Sequence, residues 1–120
     1  VNLSDPAEVC AFIVSALDED KAEEIVSVDL AGKTSIADYM VIASGMSGRH
    51  VGALAEKLSQ SLKDEGMEIG AIEGKDQCEW VLLDTGDVIV HLFKPEAREH
   101  YNLEKLWSIP SPELVSENTL

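Results

Sequence analysis

Ser44-Gly45-Met46-Ser47-Gly48 is the stretch whose residue types come nearest to a reaction site. Small residues and two hydroxyls lie between an apolar run and a helical stripe. Phosphate loops occupy such places, because the first N–H groups of a helix are unpaired and attract anions. The stretch has neither the GxxxxGK[ST] nor the GxGxxG pattern, and no GxSxG elbow for a serine hydrolase. A nucleotidyl transferase would set paired carboxylates on a strand shortly after such a loop, to hold two metal ions. Here helix residues follow instead, and Asp84 and Asp87 lie across a turn far along the chain. His50, His91 and His100 share no metal-ligand spacing, with neither HxH nor HExxH present. Cys10 and Cys78 form no CxxC, which suits a reducing cytosol; Cys78 fits a buried or half-buried strand entry. The loop therefore reads as a glycine-permitted turn with Ser47 as helix cap. No catalytic set, metal or cofactor is expected. The alternative is a phosphate-handling enzyme that uses Ser44 and Ser47 with remote acids.

Binding chemistry is better supplied. Glu79 to Phe93, EWVLLDTGDVIVHLF, reads as two strands around the turn residues Asp84, Thr85, Gly86 and Asp87. With Thr85 and Gly86 as a two-residue loop, Asp84 faces Asp87, Leu82 faces Ile89, and Trp80 faces His91. One face then carries Val81, Leu83, Val88, Val90 and Leu92, a plain core face. The other carries Trp80, Leu82, Asp84, Asp87, Ile89, His91 and Phe93. It mixes large apolar groups with charge and imidazole, which a dry core would not choose. Two readings of Trp80 stand side by side. It is a binding hot spot with Asp84 at its rim, or it is covered by a third helix or a dimer partner.

The elements that must hold this hairpin follow from spacing. Asp5-Pro6-Ala7-Glu8 opens a helix with a cap, a proline at the first position and a capping box. Cys10, Ile13, Val14 and Leu17 continue it at helical period. Ile25 to Leu30 alternates as a strand. Tyr39 to Ser44, YMVIAS, is nearly unbroken and apolar, so it belongs inside a sheet with both faces buried. Val51, Leu54, Ala55, Leu58 and Leu62 form the clearest helical stripe, ending at Gly66. Met67 to Ile72 is expected as a strand. Lys94-Pro95-Glu96 opens a last helix through about Trp107, and Ser108 to Leu120 reads as a flexible tail. A right-handed crossover and at least one parallel pairing follow from the strands around the middle helix. The expectation is one α/β domain over 1–107, a mixed five-stranded sheet with helices mainly on one face.

Charge narrows the partners. The chain of 120 residues carries a formal net charge of -14, and its nine basic residues are spread thinly. No basic cluster could neutralise several phosphates, so direct, sequence-specific nucleic-acid binding is not expected. The charge keeps the protein soluble, or it steers the protein towards a basic partner protein. No apolar run approaches the roughly 20 residues of a membrane span.

Three stretches carry a resemblance. Asp38 to Val51, DYMVIASGMSGRHV, resembles the DY-x-VIASG-x-S-x-RHV signature of the ribosomal silencing factors, also called the Iojap-like family. Glu73-Gly74 with Glu79 to Asp84 resembles the EG…eWvLiD segment. Val90-His91-Leu92-Phe93 with Arg98, Tyr101, Leu103, Glu104, Leu106 and Trp107 resembles the VHvF…R-x-x-Y-x-LE-x-LW ending. Departures are mild: Met40 and Met46 stand at variable positions, and Gly48 replaces a commonly polar residue. The resemblance implies a nucleotidyltransferase-like α/β fold without catalysis, in a cytoplasmic or organellar protein; the cytoplasm is expected here. It implies binding to the large ribosomal subunit through ribosomal protein number fourteen, which sterically blocks small-subunit joining and represses translation. Contact roles then fall on Trp80, Leu82, Asp84, His91 and Phe93, with Arg98 and Tyr101 in support. A homodimer of the free protein on the same face is the further expectation.

Overall fold

Asp5 caps the first helix, α1 (Pro6–Glu19), through its carboxylate, which accepts from the Ala7 N–H at 3.0 Å. The expected capping box does not close. The Asp5 N–H donates instead to the Asn2 carbonyl at 3.1 Å, and Glu8 stays exposed. Val9, Cys10, Ile13 and Leu17 form the buried stripe, with Val14 half-buried at its edge. The second helix, α2 (Gly48–Asp64), starts at Ser47, whose hydroxyl accepts from the His50 N–H at 3.2 Å. Its stripe of Val51, Leu54, Ala55, Leu58 and Leu62 is buried as the spacing requires. The computed structural model describes residues 2–75 and 77–97.

Five strands complete the described chain: β1 (Glu23–Asp29), β2 (Tyr39–Ser44), β3 (Ala71–Glu73), β4 (Trp80–Asp84) and β5 (Val88–Phe93). They lie in the order β1-β2-β5-β4-β3. The β2–β5 pair is parallel and the other three pairs are antiparallel. The mixed sheet and the central place of YMVIAS follow the sequence expectation. The apolar sides of α1 and α2 pack on Val41, Ala43, Val81, Leu83, Val88, Val90 and Leu92. Across the sheet, Val28, Leu30, Ala37, Met40, Ile42 and Phe93 form a second layer, joined at its margin by Trp80 and Ile89. Both described helices thus occupy one face.

Three local expectations are corrected. The hairpin loop is Gly86-Asp87, so Asp84 pairs with Ile89, Leu82 with His91 and Trp80 with Phe93. Gly86 at φ +93° suits the first loop position of a type II′ turn, and Asp84 Oδ1 accepts its N–H at 2.8 Å. The partners move by two residues, so each side chain keeps its face. The third strand is short and begins at Ala71, because only from Gly70 onward does the chain bond to β4, through Gly70 N–H to the Asp84 carbonyl. In β1 the register with β2 shifts between Glu23 and Val26, where Glu24 takes φ +49°, a bulge that alternation alone does not reveal. After β5, residues 95–97 open a helical turn, and Ala97 packs on the second layer. The rest of the expected last helix, with Arg98 and Tyr101, and the tail 108–120 lie outside the described residues.

Candidate functional site

The serine-glycine loop turns its polar groups to structural ends. The Met46 N–H donates to His50 Nδ1 at 2.8 Å. With Nδ1 an acceptor, His50 Nε2 carries the proton and donates to the Asp20 carbonyl at 3.0 Å. One imidazole therefore ties the start of α2 to the end of α1, a role its position in the first helical turn did not disclose. Gly45 answers to close approach: a Cβ there would lie 2.8 Å from Val51 Cγ2 and 2.9 Å from the Val51 nitrogen. Ser44 is buried. Two N–H groups that could meet a phosphate, those of Met46 and His50, already donate to the His50 ring and the Ser47 hydroxyl. The carboxylates of the hairpin turn are also not cross-strand partners, since Asp84 opposes Ile89. Among the described residues, no group of three or more His, Cys, Asp and Glu side chains converges as a metal site.

The far face of the hairpin has a different build. Alternation sends Trp80, Leu82 and Asp84 of β4, and Ile89, His91 and Phe93 of β5, away from the helices. Trp80 stacks on its cross-strand partner Phe93, with centroids 5.1 Å apart and planes at 28°. Diagonally, its indole N–H donates to His91 Nδ1 at 2.8 Å. The His91 and Phe93 rings lie 6.1 Å apart and nearly parallel, at 14°. His91 is only 7% exposed, and burial lowers its titration from 6.5 to about 4. The ring is therefore neutral at pH 7, and the received indole hydrogen bond places its proton on Nε2. Phe93 is buried beneath, while Trp80, Leu82, Asp84 and Ile89 are half-buried. The arrangement is an apolar platform with a locked indole and a carboxylate at one end. It can dock a partner; it has no nucleophile and base in contact.

The chain matches the family model described as ribosomal silencing factor during starvation over residues 4–119. It is 48% identical over 118 residues to the ribosomal silencing factor of Zymomonas mobilis, covering 97% of this chain and 89% of that one. The corresponding factor of Halalkalibacterium halodurans is 43% identical over 108 residues, covering 89% of this chain and 92% of the relative. This chain belongs to the ribosomal silencing factor family. A crystal structure of a Chromobacterium violaceum protein has the same fold, with a TM-score of 0.85 and 37% identity over 90% of each chain.

Ribosomal silencing factors are regulators that repress translation, and this one is not an enzyme. That assignment fits a loop whose Ser47 hydroxyl caps a helix and whose His50 ring binds the Met46 N–H and the Asp20 carbonyl. The structure brings together five of the residues that the silencing-factor motifs single out: Trp80, Leu82, Asp84, His91 and Phe93. Arg98 and Tyr101 fall outside the described residues. The hairpin alone did not reveal how far the face extends. The parallel register sets Met40 beside Ile89 and Ile42 beside His91, so β2 continues the same side of the sheet as a buried layer under Val28, Leu30 and Ala37 rather than as open surface. The unbroken run YMVIAS was the available signal, since a strand buried on both sides must lend residues to each face. No described helix is long and apolar enough to cross a membrane.

Proposed function

We propose that this protein silences translation in the cytoplasm by binding the large ribosomal subunit through ribosomal protein number fourteen. Its bulk on the joining surface excludes the small subunit. The observation that supports this reading is the hairpin face, where the half-buried Trp80 and Leu82 lie beside Asp84, opposite the helical layer. Such a patch supplies an aromatic anchor with a charged rim. A net charge of -14 suits approach to a basic protein and opposes direct binding to RNA. An interface of about 800 Å² per partner is enough for a stable complex. Arg98 and Tyr101 are assigned supporting roles on the motif alone.

Co-sedimentation with purified large subunits, small subunits and joined ribosomes tests the proposal. Migration with free large subunits, and reduced joining when small subunits are added, is the expected result. No co-migration, or equal binding to both subunits, overturns it. The same apolar face can pair two free copies, and sedimentation over a range of concentrations detects that dimer as a state competing with ribosome binding.

A further inference from the structure

The anchor of the proposed docking face is held by a neighbour that makes no comparable show of surface. Trp80 is half-buried, yet three observations restrict its indole. It stacks on Phe93 at 5.1 Å, its N–H donates to His91 Nδ1 at 2.8 Å, and His91 is itself buried against the nearly parallel Phe93 ring. A large side chain that must be ordered on binding weakens association, and one already ordered does not. Resting on the site proposed above, we propose that His91 is a positioning residue, whose ring nitrogen presets the Trp80 indole for docking on the ribosomal partner. The indole N–H restricts what can stand in for imidazole. An acceptor of similar reach, such as the glutamine side-chain oxygen, keeps the hydrogen bond; an isosteric apolar group does not.

The test uses the full chain and purified large subunits. His91→Leu is expected to weaken binding about tenfold, the scale of one buried hydrogen bond. His91→Gln restores most of it. In a Trp80→Phe background, which has no indole N–H, His91→Leu is expected to add no further loss. Parent-like affinity in His91→Leu, or an equal loss in the Trp80→Phe background, overturns the positioning role. Asp84→Lys separates this from failure of the site. If Asp84→Lys binds as the parent does, the docking face itself is wrong and the inference falls with it. If Asp84→Lys loses binding while His91→Leu does not, only the inference falls. Should His91→Leu not fold, the parent's Trp80 indole N–H resonance decides. Slow exchange with a hydrogen-bonded shift supports the inference, and rapid exchange at a free-indole shift overturns it.

Discussion

Acidification should unlock the Trp80–His91 pair before it unfolds the domain, with an effect on stability that can be isolated. In the native protein His91 is neutral at pH 7, and burial lowers its titration to about 4. In the unfolded chain the same ring takes its proton near its ordinary 6.5. Between these values the unfolded state binds more protons than the native state, so stability falls as pH falls. The contribution is fully present above 6.5 and lost on passing down through about 4. By pH 5 the linkage amounts to about 2 kcal/mol, and below both values to about 3 kcal/mol, at about 1.4 kcal/mol per pH unit. The small exposure of His91 leaves little solvent screening to reduce this. The assay must be differential, so that the pH response of the rest of the chain cancels. Urea unfolding of the parent and of His91→Gln at pH 7, 6 and 5 gives the needed pair of curves, because glutamine does not titrate. The parent should lose about 2 kcal/mol more than the variant between pH 7 and 5. Its indole N–H resonance should stay in place down to pH 5 and shift only near pH 4, where the native Nδ1 gains a proton and ceases to accept. Parallel loss in both proteins would refute the reasoning.

Other outcomes follow from particular contacts. Asp84→Lys is expected to weaken large-subunit binding at least severalfold without changing the thermal midpoint by more than a few degrees, checked by co-sedimentation and circular dichroism. Gly45→Ala forces a methyl group against Val51 at 2.8 Å and should destabilise the domain by about 1–3 kcal/mol in urea titrations. Leu83 and Leu82 are adjacent but face opposite ways, fully buried and half-buried respectively. Leu83→Ala should cost about 2–5 kcal/mol of stability. Leu82→Ala should cost clearly less stability and be felt mainly in ribosome binding.

The sequence disclosed those features that rest on side-chain periodicity and capping chemistry. The stripe from Val51 to Leu62, the Ser47 cap, the Asp5-Pro6 helix start and the buried run YMVIAS all lie where their patterns put them. So do the two faces of the hairpin, because alternation survives an error of two in register. What the pattern missed depends on backbone geometry or on distant chain. The loop moved from Thr85-Gly86 to Gly86-Asp87 because Gly86 takes positive φ at the first loop position. Glu24 adopts positive φ in a bulge, although no glycine marks the place. Met67 to Ile69 alternate with polar residues as a strand does, but pairing with β4 starts only at Gly70. The Trp80–His91 hydrogen bond was out of reach for a related reason. Cross-strand proximity could be read, but not which ring atom meets which.

The strand order also bears on how the molecule is made. Strand β5 is the last described strand in the chain, yet it lies at the middle of the sheet, between β2 and β4. Until residues 88–93 are available, β2 and β4 present unpaired inner edges, and both apolar layers lack their central wall. The first half cannot be completed by local contacts, since β2 waits for a partner that begins at Val88. Such non-local closure slows folding and favours all-or-none assembly. On the translating ribosome, the growing chain therefore acquires the proposed docking face only after β5 has emerged, so any binding through it arrives late and as a single event.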